Sequence, residues 1–519
     1  MKKYFLVTEI VRNLNETRSL AHLAADKAQL QFDEIADCIP LRESVDARKK
    51  DRVRWIITAA LSLRSGAVPK GFKEHQFSEI DWMSGQKKIK ERPIVVGAGP
   101  AGLFAAYGLV KKGYKPIIVE QGKRIVDRDI DVAKICTDGT LSPTSNFVFG
   151  EGGAGTYSDG KLTARNQSAV TDEVYRVLVN CGADKEIAWQ SRPHIGTDKL
   201  KLIIPTLTDM LVDAGAEILW ECALTGITRS GSDRVKLTLS NGNELDSDCC
   251  MLAAGHSADA VFRLLSSAKV PLEIKTFAMG VRIEHPREFM DHCQYGNAEL
   301  AADLGAASYR LSADVGDKRG VYSFCVCPGG EVMNASSANG RLAVNGMSGS
   351  LRDGKFTNGA IVVSVQPQDL PFDPIQVLEY REKIERNCYK EGLLAPAQWG
   401  VDFMHGRASR NTRSTYRPGT YAADIGKLLP SYMTESLQEG LAIFDRRIRG
   451  FIEQGIIVAP ETGTSSPLRI VRDGESMEST GMKGLYPIGE GAGYAGGIIS
   501  SAADGLKAAL CFKTVSPGQ

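Results

Sequence analysis

The residues best suited to chemistry in this chain form a glycine-rich run followed, 23 residues after its first glycine, by Glu120. Glycine allows a tight turn at Gly97, close approach of a phosphate at Gly99 and close packing of a helix on a sheet at Gly102. The spacing to Glu120 is near the ~20 residues typical of a dinucleotide site, where the carboxylate accepts hydrogen bonds from ribose hydroxyls. The same charge would repel a 2′-phosphate, which disfavours NADP at this site. The run consists of Gly97, Ala98, Gly99, Pro100, Ala101 and Gly102.

Two apolar strands and a helix must position this run. The pattern predicts a strand over 93–96, a helix that ends near 111–113 and a strand over 116–119 that leads into the acidic residue. The start of the helix would offer free N–H groups and a partial positive charge to a pyrophosphate. The alternative, a glycine-rich loop in an unrelated α/β turn, leaves the acidic residue unexplained.

A second candidate site lies near the C-terminus, where an apolar strand over 485–488 runs into a further glycine-rich turn and a helix of small residues. An acidic residue at the end of such a strand can accept a hydrogen bond from a ribityl hydroxyl of FAD. The following helix start can stabilise negative charge near the pyrophosphate or the flavin ring. The alternative is a tightly packed helix without a ligand. The cofactor contacts predicted here are Gly489, Glu490, Gly491, Gly497 and Ile498.

The block over 149–163 holds five glycines between residues 150 and 160, interleaved with polar side chains. Converging backbone N–H groups in such a loop can wrap the flavin phosphates and the edge of the ring. Lys161 is followed by Leu162, so the ending of a P-loop is absent. A flexible surface loop is the alternative. The cofactor contacts predicted from this block and its surroundings are Gln121, Arg128, Gly152, Gly153, Ser158, Lys161, Leu162 and Gly255.

Candidates for proton transfer or substrate binding are His194, His405 and Arg469. A histidine near a flavin could move a proton while hydride leaves or arrives, because its ordinary pKa is near ~6.5. Arg469 could anchor an acidic substrate or offset the charge of a reduced flavin. Each residue has a structural alternative, namely a backbone-bonded histidine or an ion pair. Cys325 and Cys327 are either a redox pair or two buried thiols of a strand.

The eleven cysteines show neither CxxC nor paired metal-ligand spacing, so no metal site is predicted. The start MKKYFLVTEI does not resemble a signal peptide. No stretch approaches the ~18 consecutive apolar residues of a membrane span. We therefore expect a protein of the reducing cytosol that does not enter a membrane.

Length and composition indicate a soluble chain of two to four domains, with 519 residues, 43% hydrophobic and 24% charged. The net charge of +1 creates no overall field that would select nucleic acid or an anionic membrane. The predicted domains are a small basic α+β domain over 1–88, an FAD-binding domain over 89–265 and 459–519, and an inserted substrate or cap domain over 266–458.

The N-terminal domain is expected to have a βαββ, ferredoxin-like arrangement, with a strand over 3–10, a helix over 17–30 and a strand over 53–63. Residues 1–90 carry 17 Lys and Arg against 12 Asp and Glu. The densest basic cluster spans 48–54, with Arg48, Lys49 and Lys50 at its start. It could contact RNA, although such a run is more often a solvated strand edge.

The middle of the chain predicts two further units. The first has a helix over 207–214, a strand over 217–220, two alternating segments over 224–228 and 235–239, and a buried strand over 250–253. The second mixes strands and helices, and no further GxGxxG follows a strand there, which favours a cap domain over a second nicotinamide-binding domain. Its predicted elements are strands over 321–326, 341–345 and 360–365 and helices over 379–389 and 436–453.

Four motifs in order, VGAGPAGLFAAYGL, FGEGGAGTYSDGKL, ETGTSSPLRIVR and GEGAGYAGGIISSAADG, resemble a bacterial family of FAD-dependent dehydrogenases, once labelled NAD(FAD)-utilising dehydrogenases. The resemblance covers nearly the whole chain. It implies a glutathione-reductase-like α/β FAD domain with an inserted α+β domain, as in geranylgeranyl reductases. Flavoproteins of this kind usually have Asp where Glu490 stands, so its longer side chain would reach the ribityl group through a water. The resemblance implies no substrate. It assigns FAD contacts to Gly97, Gly99, Gly102, Glu120, Gly152, Gly153, Glu490 and Gly491.

The leading hypothesis is an FAD-dependent oxidoreductase that holds FAD non-covalently, with its ring facing a cleft between the FAD domain and residues 266–458. A small-molecule substrate would occupy this cleft, and a nicotinamide donor would bind there transiently. An RNA-modifying flavoprotein that docks through the basic N-terminal domain is the main alternative. A reductase of polyprenyl lipids and a flavin-binding scaffold without catalysis are further ones.

Overall fold

A computed structural model describes residues 2–49, 52–162, 168–316 and 318–515. Lys50 and Asp51 of the basic cluster, and Thr163 of the glycine-rich block, lie outside the described residues. Among the described residues, no helix combines the length and apolar character needed to cross a membrane.

The N-terminal part is a four-stranded antiparallel sheet with one helix packed against it. The strand order β2-β3-β1-β4 places β3 between β2 and β1, which is the split βαβ arrangement of a ferredoxin-like unit. The second helix of such a unit is absent from the described connection between β3 and β4. The elements are β1 (Tyr4–Asn13), α1 (Leu20–Ala28), β2 (Ile35–Asp46), β3 (Arg54–Leu63) and β4 (Glu74–His75).

Strand β2 lies at the edge of this sheet and has no clear apolar alternation. It carries a proline and a bulge between Pro40 and Arg42, both typical of edge strands. The Glu43 N–H donates to the Trp189 carbonyl at 2.7 Å, and the Ser191 N–H donates to the Glu43 carbonyl at 2.8 Å. These bonds cover the edge and attach the N-terminal domain to the next one.

A five-stranded parallel sheet forms the second part, in the order β23-β11-β5-β6-β7. Its short strands are continuous apolar runs, as expected for a sheet covered on both faces. An antiparallel meander of β8, β9 and β10 precedes β11. The elements are β5 (Ile94–Val96), α2 (Pro100–Lys111), β6 (Ile117–Val119), α3 (Ile125–Asp138), α4 (Ala169–Asn180), α5 (Thr197–Asp213), β7 (Glu217–Leu219), β8 (Leu224–Ser230), β9 (Arg234–Leu239), β10 (Glu244–Ser247), β11 (Cys250–Leu252), β23 (Leu485–Pro487) and α12 (Ile498–Leu510).

The third part is built on a seven-stranded mixed sheet in the order β14-β15-β18-β13-β21-β19-β20. Two pairs of strands, β12 with β22 and β16 with β17, lie outside it. The elements are α6 (Asp259–Ser267), β12 (Leu272–Ile274), β13 (Phe277–Pro286), α7 (Arg287–Tyr295), α8 (Ala301–Leu304), β14 (Ser312–Val315), β15 (Arg319–Cys327), β16 (Glu331–Asn334), β17 (Val344–Met347), β18 (Phe356–Val365), α9 (Pro374–Cys388), β19 (Ala395–Trp399), α10 (Gly400–Met404), β20 (Thr420–Ala422), α11 (Ser431–Arg447), β21 (Ile456–Glu461) and β22 (Leu468–Ile470).

Some elements of this third part differ from the predicted ranges. The helix predicted over 436–453 is α11, which ends six residues earlier; the chain then turns at Gly450, whose φ of +90° favours glycine. The strand predicted over 341–345 is observed as β17, which begins three residues later and ends at Met347. The boundary predicted between 458 and 459 falls inside β21, so the large sheet extends to Glu461.

One hydrophobic core joins the parallel sheet to the seven-stranded sheet. It contains Ile94 and Leu252 from the former together with Val281 and Ile361 from the latter. The opposite face of the parallel sheet is covered by helices, and α12 packs so closely on α2 that a Cβ on Gly108 would lie 2.5 Å from the Ala509 Cβ. The two domains therefore pack directly on each other.

Candidate functional site

Three glycine-rich segments, distant in sequence, meet at the carboxyl edge of the parallel sheet. A Cβ atom placed on Gly153 would lie 3.2 Å from the Gly99 Cα, and one placed on Gly489 would lie 2.6 Å from the Ala101 Cβ. The turns after β5 and β23 meet because both strands pair in parallel with β11 and end at the same edge. The loop after α3 is joined to them by backbone contacts of Gly150 and Gly152. In an open α/β sheet, this edge is where ligands bind.

The turn after β5 accepts only glycine at two of its positions. Gly97 has a φ of +106°, and a Cβ on it would collide with the Ala253 carbonyl. A Cβ on Gly102 would collide with the Gly97 carbonyl. Gly99 caps the start of α2 and has no side chain to cover the N–H groups there. The turn therefore leaves a positively polarised helix start open to an anion.

A second helix start faces the same region. Gly497, with a φ of +85°, caps α12. A Cβ on Gly155 would lie 3.3 Å from the Ile498 side chain, so the loop after α3 reaches this helix as well. The Gly152 N–H donates to the Ala98 carbonyl at 2.9 Å. The predicted contacts from the three segments thus lie around one crevice.

Glu120 holds the crevice together. Its buried carboxylate accepts hydrogen bonds from the N–H groups of Ala98 at 2.8 Å, Gly122 at 2.9 Å and Gly150 at 3.0 Å. It thereby joins the turn after β5, the end of β6 and the glycine-rich loop. A carboxylate offers about four acceptor positions, so one remains for a ribose hydroxyl. Gln121, beside it, is half-buried.

Arg128 has a different environment from the one expected of a cofactor contact. Its buried guanidinium donates to the carbonyls of Asn146 at 2.7 Å, Glu151 at 2.6 Å and Gly153 at 2.9 Å. Burial lowers the pKa of Arg128 to about 10. Arg128 therefore fixes the backbone of the glycine-rich loop. The sequence could not indicate this role, because the groups that Arg128 binds are backbone carbonyls, which every residue has.

Ser158 and Leu162 also shape this loop. The Ser158 hydroxyl donates to the Gly155 carbonyl at 2.7 Å and accepts from the Gly160 N–H at 3.0 Å. Leu162 is fully buried, and its N–H donates to the Pro193 carbonyl at 2.9 Å. These contacts fix the conformation of the loop that faces Gly99.

Sequence reasoning missed His256, which follows the end of β11. Its Nδ1 lies 3.4 Å from Glu490 Oε1, and the Gly497 N–H donates to Glu490 Oε2 at 3.4 Å. Burial lowers the pKa of His256, and Glu490 opposes the shift. A Cβ on Gly491 would lie 2.5 Å from the Gly255 carbonyl, so the ends of β11 and β23 are in contact. The only sequence signal was a histidine directly after a strand-ending glycine.

This arrangement fits an extended dinucleotide such as FAD. A Cβ on Gly99 would meet its nearest atom only at 3.9 Å and one on Gly497 would meet nothing within 4 Å, so both helix starts are open. A buried carboxylate lies where an adenosine ribose is expected. Glu120 would hold the ribose, the N–H groups at the start of α2 the pyrophosphate, and Glu490 with His256 the ribityl end.

The Lys161 side chain contacts two cysteines of β15 in the neighbouring domain. Its Nζ lies 3.9 Å from Cys325 Sγ, 3.7 Å from Cys327 Sγ and 3.1 Å from Asp159 Oδ2. Burial alone would lower the pKa of Lys161, but the two sulfurs and Asp159 raise it overall. Lys161 therefore joins the glycine-rich loop to the seven-stranded sheet.

A buried ion pair lies on the other side of the same cysteines. Arg282 Nη1 is 3.0 Å from Glu461 Oε2, and Arg282 Nη2 donates to the Cys325 carbonyl at 2.9 Å and lies 3.7 Å from Cys327 Sγ. Burial raises the pKa of Glu461 to about 7, although Arg282 opposes the shift. The two thiols are thus flanked by two cations.

The three residues predicted as proton-transfer or substrate candidates do not come together. His194 pairs with Lys161 through the backbone, its Nε2 lies 3.0 Å from the Ser350 carbonyl, and burial lowers its pKa. His405 is exposed at the end of α10. Arg469 is partly exposed, with Nη1 3.9 Å from Glu273 Oε2. Only His194 lies beside the cluster formed by Lys161 and the thiols. Within the described residues, no group of His, Cys, Asp and Glu is arranged to hold a metal ion.

The comparisons with known proteins agree with this geometry. Residues 276–464 match the family model described as "FAD-dependent protein, C-terminal domain-like", and residues 95–126 match the "NAD(P)-binding Rossmann-like domain". A protein of Clostridium beijerinckii, described as "Uncharacterized protein", is 39% identical over an alignment of 499 residues that covers 93% of this chain and 93% of that protein.

Two solved structures resemble the chain more distantly. One is CtdE in complex with FAD, at 13% identity and a TM-score of 0.33, with 82% of this chain and 85% of that chain covered. The other is a flavoprotein/dehydrogenase from Cytophaga hutchinsonii, at 12% identity and a TM-score of 0.35, with 81% and 76% covered.

Proposed function

Because the chain belongs to a family of FAD-dependent proteins, we propose that it is an FAD-dependent oxidoreductase of the dehydrogenase or reductase type. The substrate would be a small molecule bound between the parallel-sheet domain and the seven-stranded domain. The observation that carries this proposal is the meeting of three glycine-rich segments around Glu120 and two open helix starts.

When bound, FAD supplies two-electron transfer through its ring, and the chain supplies binding, orientation and proton handling. The start of α2 binds the pyrophosphate, since no side chain covers its N–H groups. Glu490 orients His256 and favours the tautomer with the proton on Nδ1, because a carboxylate accepts only. His256 Nε2 would then be free to accept a proton from a substrate and return it.

Several features support the reductase type and a cytosolic setting. The chain offers one dinucleotide turn after a strand, so an electron donor would enter the substrate cleft and leave again. All eleven cysteines lie among the described residues, and none of them is in a disulfide. Cysteines outside disulfides in this number are typical of a reducing compartment.

The experiment is an anaerobic reduction of the purified flavoprotein with NADH or NADPH, followed by flavin absorbance. We expect bleaching with one nicotinamide and electron transfer to an artificial dye acceptor without oxygen. A Gly102→Ala variant should give colourless protein, because its Cβ would collide with the Gly97 carbonyl. Gly474→Ala is the matched control, since a Cβ there meets nothing within 4 Å. A flavin that neither nicotinamide reduces would contradict the reductase assignment.

A further inference from the structure

The cysteines of β15, called here the thiol pair (Cys325 and Cys327), occupy an irregular point of the large sheet. Pairing of β15 with β18 is interrupted by a bulge between Phe324 and Cys327. Cys325 itself has a φ of +43°, a conformation that disfavours any residue except glycine. Both sulfurs nevertheless lie within 4 Å of the same ammonium, Lys161 Nζ. The strained backbone therefore turns both thiols to one side of the strand, and strain of this kind clusters at functional sites.

The charges around the thiol pair do not balance without a thiolate. Three cations lie in this cluster, Lys161, Arg282 and Arg352, against two carboxylates, Asp159 and Glu461. At least one positive charge is thus left over in a mostly buried place. An ionised thiol would neutralise it, and buried charges without a partner are costly.

The two thiols are also unequal. Cys325 is partly exposed and Cys327 is fully buried. The Cys327 thiol donates to the Cys325 carbonyl at 3.3 Å. The hydrogen bond from Cys327 lowers the pKa of Cys325, and the same interaction raises the pKa of Cys327. A partly exposed cysteine whose pKa is lowered, beside a buried cysteine whose pKa is raised, is the arrangement of an attacking and a resolving cysteine.

The thiol pair is connected to the cofactor crevice on two sides. Lys161 belongs to the loop that contacts Gly99 through Gly153. On the other side, Arg282 is paired with Glu461, and a Cβ placed on Gly463, two residues along, would lie 3.3 Å from His256 Nε2. A chain of contacts therefore runs from the thiol pair through Arg282, Glu461 and the adjoining segment to His256 at the ribityl end of the crevice.

We propose that Cys325 and Cys327 are a redox-active dithiol that reduces a disulfide substrate and recovers its electrons through the bound flavin. The proposal names the substrate class for the oxidoreductase inferred above, and it rests on that function for its source of electrons.

The reaction has three steps. The Cys325 thiolate attacks one sulfur of the substrate disulfide, so a mixed disulfide forms, the substrate S–S bond breaks and one thiolate leaves with a proton from Lys161. Cys327 gives its proton to Lys161 and attacks Cys325 Sγ, which forms the internal disulfide and releases the second substrate thiolate, protonated by solvent. Bound FAD would supply the two electrons, and solvent the one proton, that return the internal disulfide to a Cys325 thiolate and a Cys327 thiol. A disulfide has become two thiols.

The first experiment measures the thiols without turnover. Brief alkylation of the reduced holoprotein with iodoacetamide at pH 6.5, followed by peptide mass spectrometry, should label Cys325 at least about tenfold faster than Cys136, a half-buried cysteine whose pKa burial raises. Lys161→Met should slow labelling at Cys325 and leave Cys136 unchanged. Equal rates at the two cysteines would overturn the proposal.

The second experiment counts electrons. After oxidation with diamide, the tryptic peptide between Arg319 and Arg341, which contains both cysteines, should lose two hydrogens. Dithionite titration of oxidised protein should then consume about four electrons per flavin, against about two in Cys327→Ser, because the thiol pair is a two-electron couple. Cys327→Ala is the second variant if Ser fails to fold, and Cys136→Ser is the control that should keep the full count.

The outcomes separate the two proposals. Protein that binds flavin and is reduced by a nicotinamide, yet shows no mass change and about two electrons per flavin, contradicts the dithiol and leaves the oxidoreductase standing. Protein without reducible flavin contradicts the oxidoreductase, whereas the mass change and the labelling rate still report on the thiols.

Discussion

The substitution Glu120→Gln tests the part of the crevice that the fold depends on most. The carboxylate accepts three backbone hydrogen bonds between 2.8 and 3.0 Å, from Ala98, Gly122 and Gly150. In glutamine, an NH₂ donor replaces one of the two acceptor oxygens of Glu120. Even the best orientation of this side-chain amide would place the NH₂ group against the Ala98 N–H. Loss of one charge-assisted bond and an unpaired buried donor cost about 1–3 kcal/mol.

This cost should appear in two measurements. The turn and the glycine-rich loop must both be ordered to bind FAD, so the Kd for FAD should rise about tenfold or more, since 1.4 kcal/mol is a factor of ten. The free energy of unfolding of the apoprotein should fall by about 1–3 kcal/mol. Quenching of FAD fluorescence gives the first value, and urea unfolding followed by tryptophan fluorescence gives the second.

Glu217→Gln is the matched control. Glu217 is half-exposed on β7 and paired with Arg92 at 2.6 Å, so its loss should cost about 1 kcal/mol or less. It should leave FAD binding unchanged. If Glu120→Gln bound FAD as tightly as the wild-type protein and unfolded at the same urea concentration, the role assigned to Glu120 would be wrong.

Further predictions concern other parts of the chain. Gly153→Val should weaken FAD binding strongly, because its Cβ would lie 3.2 Å from the Gly99 Cα and its φ is +60°; equilibrium dialysis against FAD measures this. Burial holds the pKa of His285 at about 4 in the folded protein, whereas it is ~6.5 in the unfolded chain. Between these two pH values the unfolded chain binds more protons than the folded protein. The free energy of unfolding therefore falls as the pH falls through this window. From pH 7.5 to 5 the wild-type protein should lose about 2 kcal/mol more than His285→Gln in urea unfolding. If the N-terminal domain binds RNA, binding should weaken with salt and with Arg48→Ala, because Arg48 is 86% exposed. A filter-binding titration that detects no RNA binding at low salt would exclude this role.

The turn from Gly97 to Gly102 could be predicted from the sequence because its requirements are local. At Gly97 and Gly102, an added Cβ would collide with a backbone carbonyl of the adjacent strand or of a residue a few positions away. The Gly102 position, where the Cβ would collide with the Gly97 carbonyl, is an example. The strand before it and the helix after it are continuous apolar segments, whose periodicity a single sequence displays. Long, strongly patterned elements such as α9 and β18 were found for the same reason.

The pairing of distant residues could not be read in this way. His256 and Glu490 face each other only because β11 and β23 are neighbours in the sheet, and nothing near either residue indicates that order. Lys161 meets the thiols through the packing of one domain on another. Strand β2 was not predicted. It is an edge strand with Pro40 and many polar residues, so it lacks the alternation of apolar and polar residues that a half-buried strand shows.

Hydrogen exchange by mass spectrometry, with and without FAD, tests the central claim most directly. If one FAD molecule occupies the crevice, backbone amides in the turn over 97–103, the loop over 150–156 and the segment over 489–499 should all gain protection together. The surface turn over 229–234 should not change. Protection confined to one of the three segments, or absent from all of them at saturating FAD, would contradict the account.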